Sequence, residues 1–193
     1  MGRIVVSTNM TLDGVTDDPA GDEGRPGGGW FLRVTEEDRA AWAATVHAEA
    51  TEMAAYLIGG RTYEWFARRW VGRDGEQAAR FNATPKYVVR TTPGRTDWGP
   101  TTELSGDVLA RVAELKASVD GDIALYASYR LVTALLAAGL VDEVRLIVFP
   151  ALAGGGGRLV TDLAAGSDLR LLGSERIGQE LVRLRYRVAA VPA

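Results

Sequence analysis

Three short stretches of this 193-residue chain carry the residue types that grip phosphate: Gly60-Arg61-Thr62, Arg90-Thr91-Thr92 and Ser128-Tyr129-Arg130. Each follows an apolar run of strand length, and the first and third run on into a helical pattern. A helix start offers unpaired backbone amides and the positive end of its dipole, and arginine adds a guanidinium fork. Any one stretch alone fits solvated residues at the start of a loop. Three at successive strand ends favour one shared anion site, because ligands of open parallel sheets gather at the carboxyl ends of the strands. The third stretch raises a question of its own, since LYASYRLV places Ala127-Ser128 where a turn against phosphate ordinarily uses glycine.

Other chemistries have less support. His47 is the only histidine, so a Ser-His-Asp triad has one possible centre, and its spacing sets it beside the apolar stripe of a helix rather than at a loop mouth. The absence of cysteine removes thiolate nucleophiles, disulfides and cysteine-ligated zinc. Asp17, Asp18, Asp22 and Glu23 crowd one segment, a pattern that wet loops produce without a metal, and no metal is expected there. Gly154-Gly155-Gly156-Gly157 lacks the Lys-Ser/Thr ending of a phosphate loop and leads into no clear helix, so a flexible loop is expected.

The elements that must position the three stretches alternate along the chain. An apolar run from Ile4 ends at TLDG, and a long Asp-, Pro- and Gly-rich loop from Val15 to Gly29 follows, with Trp30 at its exit; loops of this length are often lids or binding loops. Thr35-Glu-Glu-Asp38 resembles a capping box, and Trp42, Val46 and Met53 set a helix from about Glu36 to about Glu52. AYLI and KYVVRT read as strands, the first leading through Gly59-Gly60 into the helix YEWFARRW. Ser105 is expected to cap a helix lined by Leu109, Val112 and Leu115. A strand Ile123–Tyr126, a helix Leu131–Ala138 closed by Gly139 and a strand Val144–Phe149 complete a parallel sheet covered on both faces. LRLLG and ELVRLRYRV then predict an antiparallel hairpin.

With 47% hydrophobic and 24% charged residues and a formal charge of −3, the chain fits one domain over 1–193 and gives no general attraction to nucleic acid or anionic membrane. No apolar run approaches the ~18 residues of a membrane span, and the start MGRIVVSTNMTLDG turns polar early for a signal peptide. A cytoplasmic location is expected.

Five segments resemble the dihydrofolate reductase superfamily, in particular the bacterial group related to the reductase domain of riboflavin biosynthesis: VVSTNMTLDG, YLIGGRTYEWF, FNATPKYVVRTT, LYASYRLVTALLAAGLVDEVRLIVFP and LVRLRYRV. The resemblance implies an α/β fold with a mainly parallel eight-stranded sheet, flanking helices and NADPH across the strand ends. It implies that Gly60, Arg61 and Thr62 receive cofactor phosphate, that Arg90 and Thr91 approach the adenosine 2′-phosphate, and that Ser128, Tyr129 and Arg130 lie against the pyrophosphate. Asn9 and Asp13 would stand at the catalytic end near nicotinamide and substrate, with Trp30 covering them, and Glu49 or Glu52 would grip a pterin-like ring. The departure is Ala127: the family often has Gly-Gly with a cis bond at this joint.

The expected activity is therefore hydride transfer from NADPH to a C=N or C=O bond of a small heterocycle, with the proton from Asp13, Glu49, Glu52 or water. The alternative is a non-catalytic nucleotide- or small-molecule-binding protein on the same scaffold. Related reductases are commonly fused to a zinc deaminase domain whose cysteines this chain lacks, so a free-standing reductase is expected. A homodimer is expected too, because Leu146, Val148, Leu184, Tyr186 and Val188 give more apolar sheet than the late helices can cover.

Overall fold

A computed structural model describes residues 1–164 and 166–189. Eight strands form one sheet: β1 (Arg3–Thr11), β2 (Met53–Gly59), β3 (Lys86–Val89), β4 (Thr101–Leu104), β5 (Asp122–Tyr126), β6 (Glu143–Phe149), β7 (Leu169–Ile177) and β8 (Leu181–Val188). Their order is β4-β3-β2-β5-β1-β6-β8-β7. β1 to β6 run parallel, and β8 pairs antiparallel with both β6 and β7. The expected mainly parallel α/β sheet with a closing antiparallel hairpin is the fold observed.

Period-two alternation divides the sheet into two faces. Ile4 and Val6 of β1, with Ile123 and Leu125 of β5, join Val112 and Leu115 of α4 (Val108–Ser118) and Leu131 to Leu136 of α5 (Tyr129–Ala137) in one core. The opposite face packs on α1 (Glu36–Glu52), α2 (Gly60–Trp70) and α3 (Glu76–Ala83) through Met53, Tyr56, Ile58, Phe81 and Trp98. Leu169 and Leu171 share a face with Tyr186, Leu184 and Val182 by register and remain exposed. Of the residues on which the homodimer expectation rests, Leu146, Val148, Leu184, Tyr186 and Val188, two, Leu146 and Val188, pack against the first core of this chain.

Several local expectations need correction. Asp107, not Ser105, caps α4, accepting from Ala110 N at 3.1 Å. The short strand β4 and helix α3 lay outside the sequence reading, and both have weak signals: β4 is a four-residue edge strand, and α3 buries only Ala78 and Phe81. Trp30 does not cover a site. It is 1% exposed in a 3-10 turn, edge-on to Phe149 at 5.1 Å, and its Nε1 donates to Asp17 O. Thr35 caps α1 as expected, while the carboxylate of Asp38 accepts the amides of Gln179 and Glu180 and so ties that helix to the β7–β8 turn.

Two arginines of β8, Arg183 and Arg185, join an ion-pair network beneath the sheet's closing strands. Glu143 Oε1 accepts from Arg145 Nε at 2.8 Å and Arg185 Nε at 3.0 Å, and Glu49 Oε2 accepts from Arg183 Nη2 at 2.9 Å with Arg145 Nη1 3.4 Å away. Burial opposes the charge on Glu143, but Arg145 and Arg185 outweigh it and hold the carboxyl below its usual range. The network joins α1 to β6 and β8, and Arg145 at its centre is 3% exposed. Removing one partner of a buried pair leaves the other charge uncompensated, which costs about 3–5 kcal/mol. Arg145→Leu should lose about that much stability in urea unfolding, whereas Arg3→Ala, removing an ion pair whose arginine is 52% exposed, should lose at most about 1 kcal/mol.

Candidate functional site

The parallel order brings the carboxyl ends of β2 and β5 side by side, with β3 and β1 next to them. Helices α2 and α5 follow closely on β2 and β5, and neither N-cap residue, Gly59 or Ser128, makes a side-chain capping hydrogen bond to its own helix. The carbonyl of Ser128 accepts from Leu131 N and Val132 N, so the amides of Tyr129 and Arg130 lie outside the hydrogen bonding of α5. Two neighbouring helices thus present free amides and the positive ends of their dipoles to one edge.

The two turns are clasped by one hydroxyl. Ser128 Oγ accepts the amide of Gly59 at 2.9 Å, lies 3.0 Å from Thr62 Oγ1 and donates to Tyr126 O at 3.1 Å. Glycine eases this approach: a Cβ on Gly59 would lie 3.3 Å from Ser128 Oγ, and one on Gly60 would lie 3.1 Å from Arg90 Cβ, so either neighbour would have to give by a few tenths of an ångström. The joint itself has no cis peptide. Ala127 and Ser128 instead take positive φ angles of 47° and 59°. Left-handed backbone costs about 1–2 kcal/mol per non-glycine residue, so the surroundings must hold it, and the three partners of Ser128 do so.

Of the phosphate candidates, Thr62 and Ser128 meet within this clasp, Gly60 lies against Arg90 next to it, and Arg61, Arg130 and Thr91 are exposed. Tyr129 is anchored elsewhere by its hydroxyl, which donates to Thr16 O at 2.7 Å and so ties the long loop to α5. On the other side Arg69 of α2, stacked on Trp65, pairs with Asp22 of the same loop. The acids of that loop are similarly engaged, Asp18 accepting the amides of Glu23 and Arg25 and Asp17 facing Arg25. Among the described residues none forms a metal-binding group.

Arg90 departs from the free fork expected of it. Its side chain is 8% exposed, with Nη1 3.6 Å from Glu64 Oε1, Nε 3.4 Å from Glu103 Oε1, Nη2 donating to Arg95 O and the guanidinium 5.1 Å above the Tyr63 ring. Its Nε is buried without a hydrogen-bond partner. Glu64 and Glu103 were invisible to sequence reading because they meet Arg90 only through the pairing of β3 with β4 and the packing of α2.

The proposed catalytic end also changes. Asn9 lies near the end of β1, its Oδ1 accepting from Trp42 Nε1 at 3.0 Å, which leaves Nδ2 able to donate. Asp13 is engaged as an acceptor. It accepts from Thr11 Oγ1 at 2.5 Å and from the amides of Ala153 and Gly154, first the hydroxyl and then the amides lowering its pKa to about 2. This bond also fastens Gly154-Gly155-Gly156-Gly157 to the loop after β1, so the glycine run is not a free loop. Glu49 is occupied by Arg183, and Glu52 sits immediately before β2, at the opposite edge of the sheet from the helix starts. Neither can grip a ring at this edge. His47 lies within α1, its Nδ1 buried without a partner.

The RibD C-terminal domain model matches residues 3–183. Among solved structures, a protein of Shewanella sp. PV-4 provisionally named for riboflavin biosynthesis is similar at a TM-score of 0.71 and 18% identity, over 97% of this chain and 99% of that one. A Thermotoga maritima diaminohydroxyphosphoribosylaminopyrimidine deaminase/5-amino-6-(5-phosphoribosylamino)uracil reductase matches at 0.64 and 13% identity over 97% of this chain and 57% of that one. Dihydrofolate reductase from Enterococcus faecalis, solved with NADP(H), matches at 0.59 and 10% over 96% of each chain. YyaP of Bacillus subtilis (strain 168), an uncharacterized protein, is 30% identical over 101 residues, about half the length of either chain. With a family match along nearly its whole length and a reductase-type fold to accompany it, the chain belongs to the RibD C-terminal domain family.

Proposed function

We propose that the protein is an NADPH-dependent reductase that acts on a C=N or C=O bond of a small, pterin- or pyrimidine-like heterocycle. The observation that carries this reading is the pair of uncapped helix starts, clasped by Ser128, at the carboxyl edge of adjacent parallel strands. The residues present suit a dinucleotide: glycine at 59 and 60 keeps the edge low, and Arg90 Nε, 3.4 Å from Glu103 Oε1, is a buried donor that makes no hydrogen bond. When bound, NADPH supplies the hydride.

The amides of Tyr129 and Arg130 and the start of α2 would hold the pyrophosphate, with Thr62 and Arg130 beside them. Arg61 would meet the 2′-phosphate, and Asn9 Nδ2 would orient the nicotinamide or the substrate. The proton would come from water, since Asp13, Glu49 and Glu52 are locked or remote. That same lack of a placed acid is the observation favouring the second reading, a binding protein without turnover. Oxidation of NADPH in the presence of pterin and pyrimidine acceptors separates the two.

NADPH fluorescence titration tests the reading itself. The wild-type protein should bind NADPH saturably. Arg61→Ala should weaken NADPH by roughly ten- to a hundredfold, the scale of one charge-assisted contact, and leave NADH almost unchanged. Ser128→Ala, which loosens the turn shared by both cofactors, should weaken the two alike. No saturable binding of either cofactor, or an equal loss of both in Arg61→Ala, contradicts this placement.

The role given to Asp13 is testable by pH. A carboxyl lowered from 3.8 to about 2 on folding stabilises the fold at pH above its unfolded value, and that contribution disappears as pH falls through its folded value. Asp13→Asn should therefore melt at a lower temperature than wild type at neutral pH, by a margin that shrinks between pH 3.8 and about 2. A margin independent of pH in that window contradicts an anionic anchor.

A further inference from the structure

The surroundings of Arg90 carry a consequence for cofactor choice that rests on the dinucleotide reading above. Along the sheet edge the order is β3, β2, β5, β1, and the clasped turns after β2 and β5 take the pyrophosphate. On the β1 side the edge is crossed by the long loop, tied to α5 by Tyr129 and to α2 by Arg69. On the β3 side lies the exposed segment Thr91–Asp97, with Arg90 beneath it. The adenosine half therefore extends toward β3.

At that end the chemistry is mixed. A Cβ built on Gly60, the first residue of α2, would be 3.7 Å from Arg90 Nε, so the unpartnered donor sits beside the free helix start. An anion held by α2 would be drawn to it. Yet Glu64 Oε1 and Glu103 Oε1 already stand 3.6 Å and 3.4 Å from the same guanidinium, two carboxylates against one cation. Their side chains are each 35% exposed, within reach of a ligand. A Cβ on Gly94 would collide with Arg90 Nη1, and Arg95 O accepts from Nη2, so the backbone of the 91–97 segment also holds the arginine in this pose.

A 2′-phosphate brings more negative charge into this group and must take Arg90 from its carboxylates. A 2′-hydroxyl needs no such exchange, because it can donate directly to a carboxylate, as in NAD sites. We propose that Glu64 and Glu103 are specificity-determining residues that hold Arg90 back from a 2′-phosphate and accept a 2′-hydroxyl in its place. Arg61 favours NADPH, and the two glutamates limit that preference. They come from different elements, Glu64 of α2 facing Nη1 and Glu103 of β4 facing Nε.

The test is the dissociation constant of NADPH and of NADH for the wild-type protein, Glu64→Gln and Glu103→Gln, with adenosine 2′,5′-bisphosphate and 5′-AMP as probes of the adenosine half. Each variant should bind NADPH and the bisphosphate about tenfold more tightly, the scale of one charge-assisted contact released to the ligand. NADH and 5′-AMP should bind as before or more weakly. Circular dichroism and melting temperatures confirm that both partly exposed sites tolerate the change. Binding of both cofactors with an unchanged NADPH-to-NADH ratio in both variants overturns this inference and leaves the reductase reading standing. Absence of saturable binding of either cofactor to the wild-type protein overturns the reading on which it rests.

Discussion

Gly59 and Gly60 sit where two strand–helix turns and the end of β3 come together, and the site depends on that close approach. With no side chain at 59, Ser128 Oγ reaches the backbone amide of that residue; with none at 60, Arg90 lies against the first turn of α2. A single hydroxyl then serves as acceptor for one turn and donor within the other, so it ties β2–α2 to β5–α5. The left-handed pair Ala127-Ser128 is tolerable because of the same contact. Backbone strain, helix dipoles and ligand chemistry converge on one small volume.

Elsewhere in the molecule charged groups are tied to partners. Asp13 anchors the loop after β1 to the one after β6, and Glu49, Glu143, Arg145, Arg183 and Arg185 lock α1 onto the closing strands. Lys86 is another example. It is fully buried, donating to Asn82 O and Thr84 O and lying 4.6 Å from the Trp98 ring, and burial lowers its pKa to about 8. The cations left exposed at the site, Arg61 and Arg130, flank the clasp.

The sequence made the architecture legible wherever a signal was local. Short apolar runs marked β1, β5 and β6, Thr35 marked the start of α1, and three polar stretches after strands marked the edge of the site. Failures came where tertiary partners decide. Ser105 and Asp107 are both good caps two residues apart, and only the path of the chain selects Asp107. Trp30 after a glycine run looks like a lid until Phe149 gives it a core partner. Asp13, Glu49 and Arg90 have the right chemical types for catalysis or recognition, but each is committed to partners distant in sequence, and a residue type says nothing of who has already claimed it.

The central claim is that an anion binds where the starts of α2 and α5 meet under the Ser128 clasp. Backbone amide NMR of the wild-type protein during titration with NADPH reads this directly, residue by residue. The account predicts the largest saturating shifts at Gly60, Arg61, Thr62, Tyr129 and Arg130. Shifts confined instead to the groove between β4 and α4, around Ser105, Arg111 and Ser118, with these five amides unmoved, would contradict it.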